Sequence, residues 1–178
     1  MYPVLRMAWQ LWTHRGAPRL PVTGVHVSRH ICLPWDIDMW MELNNGRALT
    51  LYDLGRIPLA VRTGLARTLR RRRWGLTMAG ASVRYRRRIR MFDIVEMRSR
   101  AICWDARFFY LEQSMWTRAG SCAGHVLYRA AVTGGQGIVP PREVAQALGV
   151  APQSPPMPDW VAAWIAADAC RPWPPMQD

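Results

Sequence analysis

A chain of 178 residues is long enough for one domain with a sizeable core plus terminal additions, and with half of its residues hydrophobic its body is not disordered. There is no lysine, so the 24 basic residues are all arginine; against 12 acidic residues they give a net charge of +12. That balance favours phosphate-bearing ligands, acidic proteins, membrane surfaces or nucleic acid as partners, unless it reflects codon usage alone. Cys32, Cys103, Cys122 and Cys170 form no CxxC pair and no metal-type spacing with His14, His26, His30 or His125, which predicts reduced thiols, no metal, and a reducing, cytoplasmic setting.

From the N-terminus, Val4, Leu5, Ala8, Trp9, Leu11 and Trp12 recur at helical spacing. This predicts an amphipathic helix over residues 1–12, packed on the domain or lying at a membrane surface. Residues 13–22, with Gly16, Pro18 and Pro21, read as a linker. Val25 to Leu33 alternate as a first strand on which His26 and His30 point the same way, as solvent-facing or hydrogen-bonded histidines. An aromatic-rich extended segment, Pro34 to Leu43, then runs into Asn44-Asn45-Gly46, where Asn44 is a good N-cap for a helix from Gly46 to Ile57. That helix is apolar over a wide arc, as suits a helix enclosed by a sheet. Pro58 is expected to kink it or to start a second helix ending near Leu69, before the basic run Arg70 to Arg73.

From Ser82 the period changes to two: Val83, Tyr85, Arg87 and Ile89 alternate with Arg84, Arg86, Arg88 and Arg90, a cationic strip on one strand face. Strands over Ile94–Trp104, Phe108–Trp116 and Cys122–Thr133 follow with short connections, an antiparallel meander. Pro140-Pro141 ends it and seeds a short helix, Arg142 to Leu148. After a proline-rich linker, Asp159 is the expected N-cap of a helix from Trp160 to Ala169. One long helix followed by four strands means an α+β domain with a curved sheet on the helix.

The chemistry concentrates in Asp36-x-Asp38-x-x-x-Glu42-x-Asn44-Asn45-Gly46-Arg47, followed by Tyr52-Asp53-Leu54-Gly55-Arg56 and by Ala81 to Asp93. A carboxylate facing the amides of a helix start suits acyl transfer. These stretches resemble the signature, central helix and second strand of hotdog-fold thioesterases of the 4-hydroxybenzoyl-CoA thioesterase-like branch. Glu42 stands where that family usually has His, Trp40 where it has a small or polar residue, and Ala48 where it has Tyr.

The resemblance implies an α+β hotdog domain, a curved antiparallel sheet wrapped around a central helix, over residues 23–139. The N-terminal helix and linker (1–22) and a C-terminal helical extension (140–178) would be additions to it. It implies hydrolysis of an acyl-CoA or acyl-carrier thioester, with Asp38 as nucleophile or general base and the Asn45 backbone amide polarising the carbonyl. Coenzyme A would be part of the substrate, with no separate cofactor, and the assembly a homodimer or a dimer of dimers. Asn44 would cap the helix. Glu42 would supplement the base or pair with a neighbouring arginine. Arg84, Arg86 and Arg88 could meet the phosphates of the substrate, with no specific nucleic-acid role, since the strip carries few aromatics. The competing class is a non-catalytic acyl-binding or membrane-peripheral protein on the same scaffold.

Overall fold

Residues 2–176 are described by a computed structural model of the chain. Helix α1 (Val4–Thr13) precedes strand β1 (His26–Ile31), a 3-10 turn at Pro34–Asp36, the long α2 (Asn45–Arg62) and the short α3 (Leu65–Arg72). Strands β2 (Gly75–Tyr85), β3 (Ile94–Trp104), β4 (Phe109–Trp116), β5 (Cys122–Gly134) and β6 (Gly137–Val139) lead to α4 (Pro141–Leu148) and α5 (Asp159–Ala169). The strands form one antiparallel sheet in the order β1-β3-β4-β5-β2, and β6 pairs with the far end of β5 at Val132 to Gly134, beyond the reach of β4. This is the α+β hotdog arrangement, with helical segments at both ends.

Helix α2 is the element the sheet closes on. Leu51, Tyr52 and Leu54 are fully buried and pack with Val95, Met97, Met115, Val126 and Tyr128 from the strands. Gly55 allows the closest approach: a Cβ there would lie 2.5 Å from the Met97 sulfur and 2.8 Å from Ser99 Oγ. The helix is also bolted to the sheet by polar groups. Buried Gln113 donates to the Tyr52 carbonyl (2.9 Å) and to Ser99 Oγ (2.7 Å), while Arg56 donates to Gln113 Oε1, pairs with Asp53 and lies 4.2 Å over the Tyr128 ring. A second cluster joins Trp104, Phe109 and Val132 to α3 and α4, and a third seats α5 on the sheet's outer face through Val161, Trp164 and Ile165.

Several boundaries depart from the sequence pattern. Pro58 neither ends nor restarts a helix: it lies within α2, which continues to Arg62, and Gly64 in a left-handed conformation sets off α3. Strand β2 begins at Gly75, well before Ser82, and ends at Tyr85. The arginine strip is therefore not one strand face. The amides of Arg86 and Arg87 both donate to the Ala123 carbonyl, ladder pairing stops, and residues 86–93 form a loop. Asp159 is the first residue of α5, and Pro158 occupies the cap.

Strand β1 turns its polar side inward. His26, Ser28 and His30 are buried, while Val25, Val27 and Ile31 are exposed. The cause is α1, which lays Met7 and Gln10 over this end of the sheet. Gln10 donates to the Arg29 carbonyl (3.2 Å), the His14 ring meets His26 edge-on, Arg62 bonds His26 Nδ1 (3.0 Å), and Ser28 Oγ bonds His30 Nε2 (2.8 Å).

Candidate active site

The motif's first carboxylate is a structural keystone. Asp36 is fully buried, and its two oxygens are divided between Arg6 of α1 (2.6 Å) and Arg47 in the first turn of α2 (2.7 Å). The Leu33 amide donates to it as well, and the Arg6 guanidinium also reaches the Ile31 carbonyl. Burial alone would push this carboxyl up, but the Leu33 amide and the two guanidinium groups outweigh it and hold it below the usual carboxylate range. The sequence motif includes Arg47 but gives it no role, and Arg6 lies outside the motif. The only available signal for Arg6 was a cation interrupting an apolar helix, with its acid thirty positions away.

Beyond Asp36 the chain folds back on itself. Ile37 bridges Leu43, the Asp38 amide donates to the Glu42 carbonyl (2.9 Å), and Met41 closes the turn in a left-handed conformation. Asp38 is half-buried and accepts from the Trp40 amide at 2.8 Å, with the Glu42 amide at 3.5 Å, so its carboxylate organises this turn. Trp40 projects outward and is exposed.

A cleft of about 230 Å³ opens at the start of α2, lined by Glu42, Asn45, Ala48, Tyr52, Tyr85 and Arg86 to Arg88, with Met115, Ala123 and Gly124 among its other walls. Asn44 Oδ1 accepts from the amides of Gly46 (2.9 Å) and Arg47 (3.2 Å) and so caps the helix. The Asn45 amide is not taken by that cap, and among the described residues it has no partner. It is a free donor at the positive end of the helix. Glu42 pairs with Arg88 at 2.9 Å, and Tyr85 donates to the Asn45 carbonyl. Ala48, in place of a larger side chain, leaves the Tyr52 ring as part of the floor; burial, with the nearby Tyr128, Cys122 and Tyr85, raises the Tyr52 phenol, which stays protonated.

The structure thus brings together on one cleft Glu42, Asn45, Arg86 and Arg88 of the residues expected from the sequence, and adds Tyr85 and Arg87. Asn44 stands behind them as the cap. Asp38 is on the same turn but not among the lining residues, and Arg84 lines a separate hollow on the outer face with His125 and Trp160. Among the described residues no cluster of His, Cys, Asp or Glu could hold a metal ion. All four cysteines are free.

An antiparallel sheet wrapped on a long helix, with a cleft at the helix start lined by Asn45, Glu42 and several arginines, is the hotdog arrangement. The chain belongs to the Thioesterase-like superfamily, whose profile matches residues 32–165. It is similar to Protein THEM6 of Xenopus laevis, with 33% identity over 142 residues, 79% of this chain and 67% of that protein. Protein THEM6 of Drosophila melanogaster is 35% identical over 97 residues, 54% of this chain and 50% of the relative, so the chain spans between half and two thirds of these relatives. Among solved structures, the probable thioesterase YbaW from Escherichia coli superposes with a TM-score of 0.65 at 14% identity, over 69% of this chain and 96% of the other. A Staphylococcus aureus protein solved in complex with CoA superposes with a TM-score of 0.58 at 10% identity, over 84% and 86%. Likeness at these identities shows the fold.

Proposed function

We propose that this chain hydrolyses the thioester of an acyl-CoA or acyl-carrier substrate in the cleft at the start of α2. The observation that carries this reading is the unpaired Asn45 amide at the start of α2, in a cleft that Glu42 also lines. A thioester carbonyl oxygen accepting from that amide would be polarised as the tetrahedral intermediate forms. A carboxylate of the 38–42 turn removes a proton from water as the oxygen attacks the carbonyl carbon. Collapse of the intermediate breaks the C–S bond, and the thiolate leaves and takes up the proton.

Two carboxylates are at hand. Asp38 is the one the resemblance assigns to this step; Glu42 is the one on the cleft wall. The geometry favours Glu42 as base, with Asp38 setting the turn that presents it. Exposed Arg86, Arg87 and Arg88 at the rim suit the phosphates of CoA or of a carrier's phosphopantetheine, in keeping with the CoA complex of the Staphylococcus aureus relative. Along β2, eleven residues have one edge free, which supports a homodimer built by pairing two such edges into a continuous sheet.

The test is thiol release from a panel of acyl-CoAs. Glu42→Gln is expected to lower kcat by about 10²-fold or more, as for loss of a general base, and Asp38→Asn by less. The reverse order would return the base to Asp38. Wild-type protein that binds acyl-CoA without turnover at saturation would replace hydrolysis by acyl binding.

A further inference from the structure

Three separate segments, joined to their neighbours by a shared depression or by backbone bonds, present large apolar side chains to solvent. On α1, Leu5, Trp9 and Trp12 form a second stripe, opposite the Met7 and Gln10 side that packs on the sheet, and Leu5 is 87% exposed. Trp35 shares with Tyr2, Val4, Leu5, Arg6 and Arg47 a depression of about 610 Å³, so the start of α1 and the motif segment meet at one surface. The 38–42 turn carries Met39, Trp40 and Met41 at its tip, 84%, 74% and 62% exposed. Beside it runs the 86–93 loop, fastened by bonds from Leu43 to Ile89 and from Phe92 to Cys32, and ending in exposed Met91 and Phe92.

Two of these residues, Met41 and Phe92, hold left-handed backbone conformations that Gly or Asn would adopt at less cost. Side chains placed outward at such positions do nothing for the core. The same loop carries Arg86, Arg87 and Arg90, all exposed and with guanidinium groups that, among the described residues, have no carboxylate partner, although the Arg90 amide donates to Asp93, while Arg15 stacks on Trp12 at the end of the helix.

We propose that this surface docks on an anionic lipid bilayer, with the α1 stripe and the Met39–Met41 tip inserted at the interface and the loop arginines on the headgroups. Trp and Met beside arginine suit that boundary, where an aromatic body is buried and a cation meets phosphate. A second copy of this chain would bring the same arginines against these, so charge favours a negatively charged occupant. No helix among the described residues is long and apolar enough to cross a membrane; attachment is by one face.

The test is vesicle flotation of the full chain on phosphatidylcholine vesicles with and without 30% phosphatidylserine or phosphatidylglycerol. The bound fraction is expected to rise at least tenfold with anionic lipid and to fall with added salt. Trp40→Ser with Met39→Ser should reduce binding several-fold, as should Trp9→Ser with Trp12→Ser, each with circular dichroism unchanged. Arg86→Glu with Arg87→Glu should abolish the preference for anionic lipid. No binding to anionic vesicles, binding indifferent to lipid charge, or binding that survives both pairs of serine substitutions would overturn the proposal. So would a change in oligomeric state on substituting Trp40, which would make the tip a contact between copies.

Discussion

Replacing Arg6 by methionine removes one of the two guanidinium groups that neutralise Asp36 and keeps most of the aliphatic stem. The carboxylate is fully buried and Arg6 contacts it at 2.6 Å, so the loss falls on a charge that water does not reach. Breaking a buried ion pair from one side costs about 3–5 kcal/mol. The Arg47 contact and the Leu33 amide remain, which puts the expected cost near the low end, about 3 kcal/mol. At roughly 2–4 °C per kcal/mol for a chain of this size, thermal unfolding at pH 7 should drop by about 6–12 °C. In an Asp36→Asn background the same Arg6 substitution should cost less, because the charge it serves is gone. A loss under about 2 °C, or equal losses in both backgrounds, would refute the view that α1 is tied to the motif through this pair.

Two further changes probe the frame of the site. His26 and His30 are held neutral, their pKa lowered to about 4 and about 3, by burial first and then by the neighbouring His14 and Arg62 at His26 and by Arg6 at His30. Since the unfolded chain binds those protons near pH 6.5, their contribution is intact above about 6.5 and is lost progressively as pH falls toward 4 and then 3; the urea midpoint should decline over that window, and less steeply after His30→Gln, whereas identical slopes would exclude His30 as a source. Gly55→Ala sets about 1 kcal/mol of helix propensity against overpacking of about 1–3 kcal/mol at Met97 and Ser99, so a lower urea midpoint is expected, and a raised one would mean that Met97 yields freely.

What could be read from the residues was local. The Asn44 cap, the breadth of apolar positions on α2 and the strand runs of β3 to β5 each depend on neighbours a few positions away, and each is present as expected. Alternation continued through Arg87 and Ile89 past the true end of β2, because pattern cannot reveal the Ala123 carbonyl where the ladder stops. The start of β2 was hidden by Gly75 and Gly80, residues that seldom favour a strand. At β1 the inward direction is decided by α1, and no period within six residues carries that information. In the site, Glu42 and Asn45 were picked out by the resemblance rather than by spacing, and both line the cleft. The resemblance assigns the base to Asp38; that its carboxylate accepts from the amides of its own five-residue turn and lies off the cleft lining is set by how that turn closes, which spacing does not reveal.

The contacts beneath α1 also fix where that helix can sit. A greasy seam tolerates a slip of one turn, because one methylene substitutes for another. Here Gln10 and His14 meet the edge strand at single stations, and Arg6 must arrive at Asp36. Shifted by a turn, all three would strand polar atoms away from water, so the helix is keyed in place and carries its outer row of tryptophans at one fixed angle.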